Sequence, residues 1–124
     1  MNIVLIFLGG GLGAVFRYFF SLLNPAVGKG FPWGTFLANG CAVLALGGVL
    51  LLIQHVQLDK QKWYPLLVVG FCGGFSTFST FGLEFFGLIN QGRVVLACCY
   101  VGLSLLLSFF IFFILAKNYS LNIG

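Results

Sequence analysis

The fold class is decided by the stretch VVLACCYVGLSLLLSFFIFFILA, residues 94–116, which contains no charged side chain. Residues 30–58 and 63–83 also carry no charge, and residues 2–23 carry only Arg17. A helix needs about 20 mostly apolar residues to cross the hydrocarbon core of a bilayer, so each window can supply one crossing. The sequence therefore predicts an all-α membrane protein with four transmembrane helices.

Composition supports the same fold class. Of the 124 residues, 60% are hydrophobic and 6% are charged, whereas soluble domains carry about 25% charged residues. The predicted spans, about 2–23, 33–55, 63–90 and 94–116, use most of the chain, so we expect a single transmembrane domain over residues 1–124. The net charge of +4 comes from basic residues in loops and at span ends, which set topology and contact anionic headgroups. It gives no reason to expect nucleic acid as a partner.

Soluble-enzyme chemistry has little support in this chain. Gly9 to Ala14 formally fits a dinucleotide-binding fingerprint, but no strand can precede it. Gly9 and Gly13 instead predict a face of small residues for close helix packing. The single histidine, His55, lies at a span end without a serine or cysteine nucleophile in evident reach, so we expect no enzyme activity. The cysteines show no metal-ligand spacing and are predicted to be small buried hydrophobes: Cys41, Cys72, Cys98 and Cys99.

The third apolar window is long for one crossing. Its middle reads GFCGGFSTFSTFG, residues 70–82, a run of glycine and hydroxyl residues that weakens a helix. Broken helices at membrane depth occur where the freed backbone faces protein or a wet cavity. We therefore expect a break in the third helix, with the functional site beside it.

Polar residues within the spans are costly unless they have a partner or a function. Interhelical hydrogen bonding explains any one of them equally well. As a set they are neutral hydrogen-bonding groups, which suit a small anion that must be partly dehydrated and quickly released. The set comprises Thr35 and Asn39 on one face of span 2, Ser76, Thr77, Ser79 and Thr80 in span 3, and the stripe Tyr100, Ser104 and Ser108 in span 4. The rings of Phe78 and Phe81 can add positive edges for the same ion, although core packing is the more frequent role of phenylalanine.

Three motifs resemble those of the Fluc, or CrcB, family of fluoride channels: GGGLGAVFRY at 9–18, GTFLAN at 34–39 and GGFSTFSTF at 73–81. The resemblance covers the whole chain in order and spacing. Members of that family are antiparallel, dual-topology homodimers with two fluoride pores and a central sodium ion. The resemblance implies a channel that exports fluoride passively across a bacterial inner membrane, with fluoride, lipid and a second copy of the chain as partners.

The resemblance also implies roles for individual residues in the fluoride pathway. Asn39 would line the pore, and Phe78 and Phe81 would present ring edges to fluoride. Arg17 would lie near a vestibule and Glu84 near a pore mouth. The polar track would continue through Ser79, Thr80, Tyr100, Ser104 and Ser108.

Sodium would be a structural cofactor at the dimer interface. By the same resemblance, its ligands would be the backbone carbonyls of Gly73 and Ser76 from both subunits. Two positions depart from the family pattern, Ser76 in place of threonine and Gly82 in place of serine. The first departure leaves a carbonyl ligand unchanged, whereas the second removes one hydroxyl.

Two other classes of function stay open at this point. A proton-coupled transporter of the small multidrug resistance type shares the length, the four spans and the dual topology. Such a transporter needs a carboxylate in its first span, where this chain has none, so only Glu84 remains as a candidate. A holin-like or non-conducting assembly would need no ordered polar pathway.

Overall fold

The computed structural model describes residues 1–118, so the last part of the predicted domain 1–124 lies outside the described residues. Three spans are single helices: α1 (Asn2–Ser21), α2 (Trp33–Val56) and α6 (Val94–Ala116). The third span, Lys60–Asn90, contains four helical segments. They are α3 (Lys60–Trp63), a π-helix (Tyr64–Cys72), α4 (Gly73–Phe75) and α5 (Ser79–Asn90).

All four spans are long and apolar enough to cross a membrane, which confirms the predicted all-α fold class with four membrane-spanning helices. The bounds differ slightly from the predicted ones. The third span begins at Lys60 rather than at residue 63, because the Asp59 side chain accepts a hydrogen bond from the amide of Gln61 at 3.0 Å and caps the helix. The first span ends at Ser21 rather than at residue 23.

The first span packs backbone to backbone against the π-helix and α4. A Cβ atom at Gly9 would meet the carbonyl oxygen of Leu66, and one at Gly13 would meet that of Phe71. The close approach is mutual, since a Cβ at Gly74 would meet the carbonyl oxygen of Gly10. The predicted small-residue face on the first span is therefore an actual helix contact.

This contact gives a stability prediction with a matched control. Gly13→Ala should destabilise the protein by about 1–3 kcal/mol or more, because the added methyl meets backbone that cannot turn away. Gly11→Ala should be at least as stable as wild type, since a Cβ at Gly11 meets nothing within 4 Å and alanine favours the helix more than glycine does. The measurement is thermal unfolding and size-exclusion profile in detergent. Equal melting temperatures for the two variants would show that the glycine contact is not needed.

Two small clusters of buried side chains lie in the interior, and many large apolar side chains face outward. One cluster joins α2 to α4 through Ala38, Ala42 and Phe75; the other joins α5 to α6 through Leu88, Ala97 and Tyr100.

The cysteine prediction is only partly right. Cys72 is buried and Cys41 half-buried, but Cys98 and Cys99 are exposed. They lie on the face of α6 that turns away from α2 and α5, the helices against which it packs. That face is available to lipid or to another chain.

Candidate functional site

The site is centred on an interruption in the third span. The helical backbone stops at Phe75, Ser76 is extended (φ −74°, ψ 155°), and the helix resumes at Ser79. In a continuous helix the amide of Thr77 would donate to the carbonyl of Gly73. Here it donates to Asn39 Oδ1 at 2.8 Å, and Asn39 Nδ2 donates to the Thr77 carbonyl at 3.2 Å. The Asn39 carboxamide thus replaces two helical hydrogen bonds and leaves the Gly73 carbonyl outside the helical ladder.

The Thr77 side chain organises the restart of the helix. Its hydroxyl oxygen accepts a hydrogen bond from the amide of Thr80 at 3.2 Å, which satisfies one of the free donors in the first turn of α5. The Ser79 hydroxyl lies 3.4 Å from the same oxygen. Thr77 was predicted only as one of several neutral hydrogen-bonding residues, and this capping role was not predicted. Threonine is a favoured residue at helix starts, so its place just before the resumed helix was the available signal.

A cavity of about 260 Å³ opens beside the interruption, between the second, third and fourth spans. No charged side chain is among its lining residues. They are Asn39, Val43, Ser76, Thr77, Phe78, Phe81, Ser104, Leu105 and Ser108. Five of the residues predicted for the fluoride pathway therefore share one cavity: Asn39, Phe78, Phe81, Ser104 and Ser108.

The serine hydroxyls of this cavity differ in their hydrogen bonding. Ser108 Oγ donates to the Ser104 carbonyl at 2.9 Å. Ser104 Oγ is buried and has no hydrogen-bond partner among residues 1–118. Buried hydroxyls are nearly always paired, so this unpaired hydroxyl, in a residue that lines the cavity, is a candidate donor for a bound anion.

The two phenylalanine rings lie in nearly parallel planes, 24° apart, with centroids separated by 6.1 Å. The ring of Phe81 packs against the ring of Tyr100, with the two centroids 4.7 Å apart. Phe78 is 85% exposed in the single chain. An aromatic ring this open inside a membrane protein contacts either lipid or another protein surface.

The remaining predicted pathway residues lie elsewhere. Arg17 and Thr80 border a second cavity of about 230 Å³, which they share with Ala14, Tyr18, Ser21, Thr35 and Thr77. Arg17 also donates to the Ser76 carbonyl at 3.4 Å. Ser79 is exposed and lines neither cavity. Tyr100 is fully buried, and its hydroxyl donates to Glu84.

Glu84 is buried at the centre of a hydrogen-bonded cluster. Thr35 Oγ1 donates to its Oε1 at 2.7 Å, and Tyr100 donates to its Oε2 at 2.8 Å. Asn24 Nδ2 donates to Oε1 at 2.9 Å. All three donors are neutral, so hydrogen bonds rather than an ion pair stabilise this carboxylate. Asn24 was not predicted as part of a site, because its partners on the second and third spans are distant in sequence.

The carbonyls of Gly73 and Ser76 fit the chemistry of a hard cation. Both residues border a third cavity of about 250 Å³. The Gly73 carbonyl lies outside the helical ladder, and within residues 1–118 the Ser76 carbonyl accepts only the 3.4 Å bond from Arg17. Hard cations take oxygen ligands, commonly about six. Two carbonyls from one chain leave most of that number to a second copy or to water.

Four helices able to span a membrane, three of them lining an uncharged cavity that contains amide and hydroxyl groups, define a multi-pass membrane protein with the architecture of a small channel or carrier. The chain belongs to the CrcB family: the family described as "CrcB-like protein, Camphor Resistance (CrcB)" matches residues 4–116.

Named relatives cover nearly the whole chain. It is 40% identical over 112 residues to "Fluoride-specific ion channel FluC" of Pyrococcus horikoshii, which covers 90% of both chains. It is 42% identical over 118 residues to the protein of the same name from Pyrococcus abyssi, covering 93% of this chain and 95% of the relative. The Coxiella burnetii protein of that name is 42% identical over 109 residues, covering 86% and 88%.

Proposed function

We propose that the protein is a fluoride-selective ion channel through which fluoride leaves the cytoplasm passively. The observation that carries this proposal is the uncharged cavity at the interruption, where Asn39, two phenylalanine rings and the free Ser104 hydroxyl meet. The names of the relatives point to the same ion. Their family favours a channel over an enzyme or a proton-coupled transporter.

The lining explains how a strongly hydrated ion can enter and leave. Hydroxyl and amide donors replace part of the water shell of fluoride, while the absence of a fixed positive charge among the lining residues prevents tight retention. The ring edges of Phe78 and Phe81 add weak positive potential without a formal charge. Conduction requires binding that is favourable enough to admit the ion and weak enough to release it.

The proposed working unit is an antiparallel homodimer in a bacterial inner membrane. The exposure of Phe78, 85% in one chain, supports a second protein surface against this ring. In that membrane, HF enters from an acidic exterior and dissociates inside. Fluoride then accumulates in the cytoplasm and leaves through the pore down its gradient.

Sodium is proposed as a structural ion of this dimer. The carbonyls of Gly73 and Ser76 from two chains would hold it, and the ion would supply positive charge that ties the two interrupted spans together. The interruption in the third span would then have two uses, since Ser76 borders both the anion cavity and the cavity that it shares with Gly73.

A flux assay with purified protein in liposomes tests the proposed function. Fluoride should pass rapidly without a pH gradient, and chloride very slowly, because chloride gains less from hard hydrogen-bond donors. Both fluxes are measured with ion-selective electrodes on the same vesicles, with protein-free liposomes as the control. Equal chloride flux would contradict fluoride selectivity, and flux that requires proton exchange would favour a transporter that uses Glu84.

A further inference from the structure

We infer that Asn24 is a positioning residue for Glu84, holding the carboxylate at the start of α2 and out of the anion pathway. The inference rests on the proposed channel function. Asn24 lies between α1 and α2, outside both cavities that contain predicted pathway residues. Its side chain nevertheless contacts the second and third spans at the same time.

All four hydrogen-bonding positions of the Asn24 carboxamide are used. Oδ1 accepts from the amides of Gly34 at 2.7 Å and Thr35 at 3.2 Å, two of the free donors in the first turn of α2. Nδ2 donates to Thr35 Oγ1 at 3.0 Å and to Glu84 Oε1 at 2.9 Å. A carboxamide offers two donors and two acceptor sites, so none remains free.

This pattern fixes which way the carboxamide points. The two backbone N–H groups of α2 can only donate, so the carboxamide oxygen must face α2 and the NH₂ group must face Glu84. The residue therefore does two separable things: its oxygen caps a helix, and its nitrogen holds a carboxylate. An aspartate at this position keeps the first and loses the second.

The position of the carboxylate matters because it is hydrogen-bonded to a residue at the wall of the cavity that contains Arg17. Thr35 lines that cavity and donates to Glu84, which is not among the lining residues. The bonds from Asn24 hold both Thr35 and Glu84 in this arrangement. A carboxylate released from Asn24 can turn toward Arg17, where it would repel an entering anion and neutralise the guanidinium.

Exchanging the amide and the carboxylate between the two positions separates positioning from capping. In Asn24→Asp the helix cap remains, but two carboxylates face each other where a 2.9 Å hydrogen bond stood. Fluoride flux in liposomes should fall about ten-fold or more, the effect of losing a hydrogen bond to a charged group. In Asn24→Asp/Glu84→Gln the glutamine amide can donate to the aspartate, which restores the bond with reversed polarity. Flux in this double variant should recover to at least that of Glu84→Gln alone.

Wild-type flux in Asn24→Asp, with the double variant no different from Glu84→Gln, would show that Asn24 only caps α2 and would overturn the inference. If Asn24→Asp yields too little folded protein for the flux assay, melting temperatures replace the flux measurement. They are compared among the wild type, the two single variants and the double variant. A double variant more stable than Asn24→Asp supports the coupling, and additive losses overturn it. Failure of the wild-type protein to pass fluoride would instead contradict the proposed function.

Discussion

Fluoride flux is expected to fall at least ten-fold in each of Phe78→Ile, Phe81→Ile and Asn39→Asp. The two isoleucines keep apolar bulk but remove the ring edges that would contact fluoride. In Asn39→Asp the side chain can still accept from the Thr77 amide, but it faces the Thr77 carbonyl without a donor and adds negative charge to an otherwise uncharged cavity. Losing a hydrogen bond to a charged group costs about 1.5–3 kcal/mol, which corresponds to roughly ten- to hundred-fold in rate.

The control for the ring substitutions is Phe7→Ile. Phe7 is 78% exposed on α1, nearly as much as Phe78, and borders neither cavity with predicted pathway residues. The Phe7→Ile variant should conduct fluoride at the wild-type rate. Liposome flux is compared after size exclusion has shown the same oligomer for every variant. Wild-type rates in all three pathway variants would mean that these residues serve packing only.

The number of membrane spans and their helical class were predictable because they follow from the length of the charge-free windows. About 20 apolar residues fit the hydrocarbon core of a bilayer, where helices satisfy the backbone hydrogen bonds internally. The π-helix Tyr64–Cys72 was not predictable, because apolar periodicity carries no signal in a segment that is apolar on all sides. Its partner explains where it lies: the glycine face of α1 meets the backbone at Leu66 and Phe71, a contact that exists only in the folded chain.

The candidate site was predictable as a segment but not as an arrangement of side chains. The four-residue spacing of Tyr100, Ser104 and Ser108 predicted one stripe on α6. A helix has 3.6 residues per turn, so each step of four advances the stripe by roughly 40°. That rotation turns Tyr100 toward Glu84 while the two serines line the cavity. Asn24 could not be assigned from sequence, since its partners lie ten or more residues away.

The second large effect concerns orientation in the membrane. With four spans, the amino terminus, the second loop and the carboxyl terminus lie on one side of the membrane. That side has three basic residues: Lys60, Lys62 and Lys117. The other side has Lys29, Arg93 and, in the nearer half of α1, Arg17, also three. Arg93 donates to the Lys29 carbonyl at 2.9 Å, which agrees with the first and third loops lying on the same side.

Lysine and arginine bias sets orientation, and acidic residues contribute little, so equal counts predict insertion in both directions. Adding two or three lysines to the carboxyl terminus should hold that side in the cytoplasm and abolish fluoride resistance in a sensitive strain. The same number of glutamines is the matched control and should leave resistance intact.

A variant with lysines added to the first loop should also fail alone. Coexpression of the two lysine variants should restore resistance, because one supplies each orientation of the proposed antiparallel dimer. A single orientation reported by terminal tags on the unmodified protein, or full resistance from one biased variant alone, would contradict dual topology.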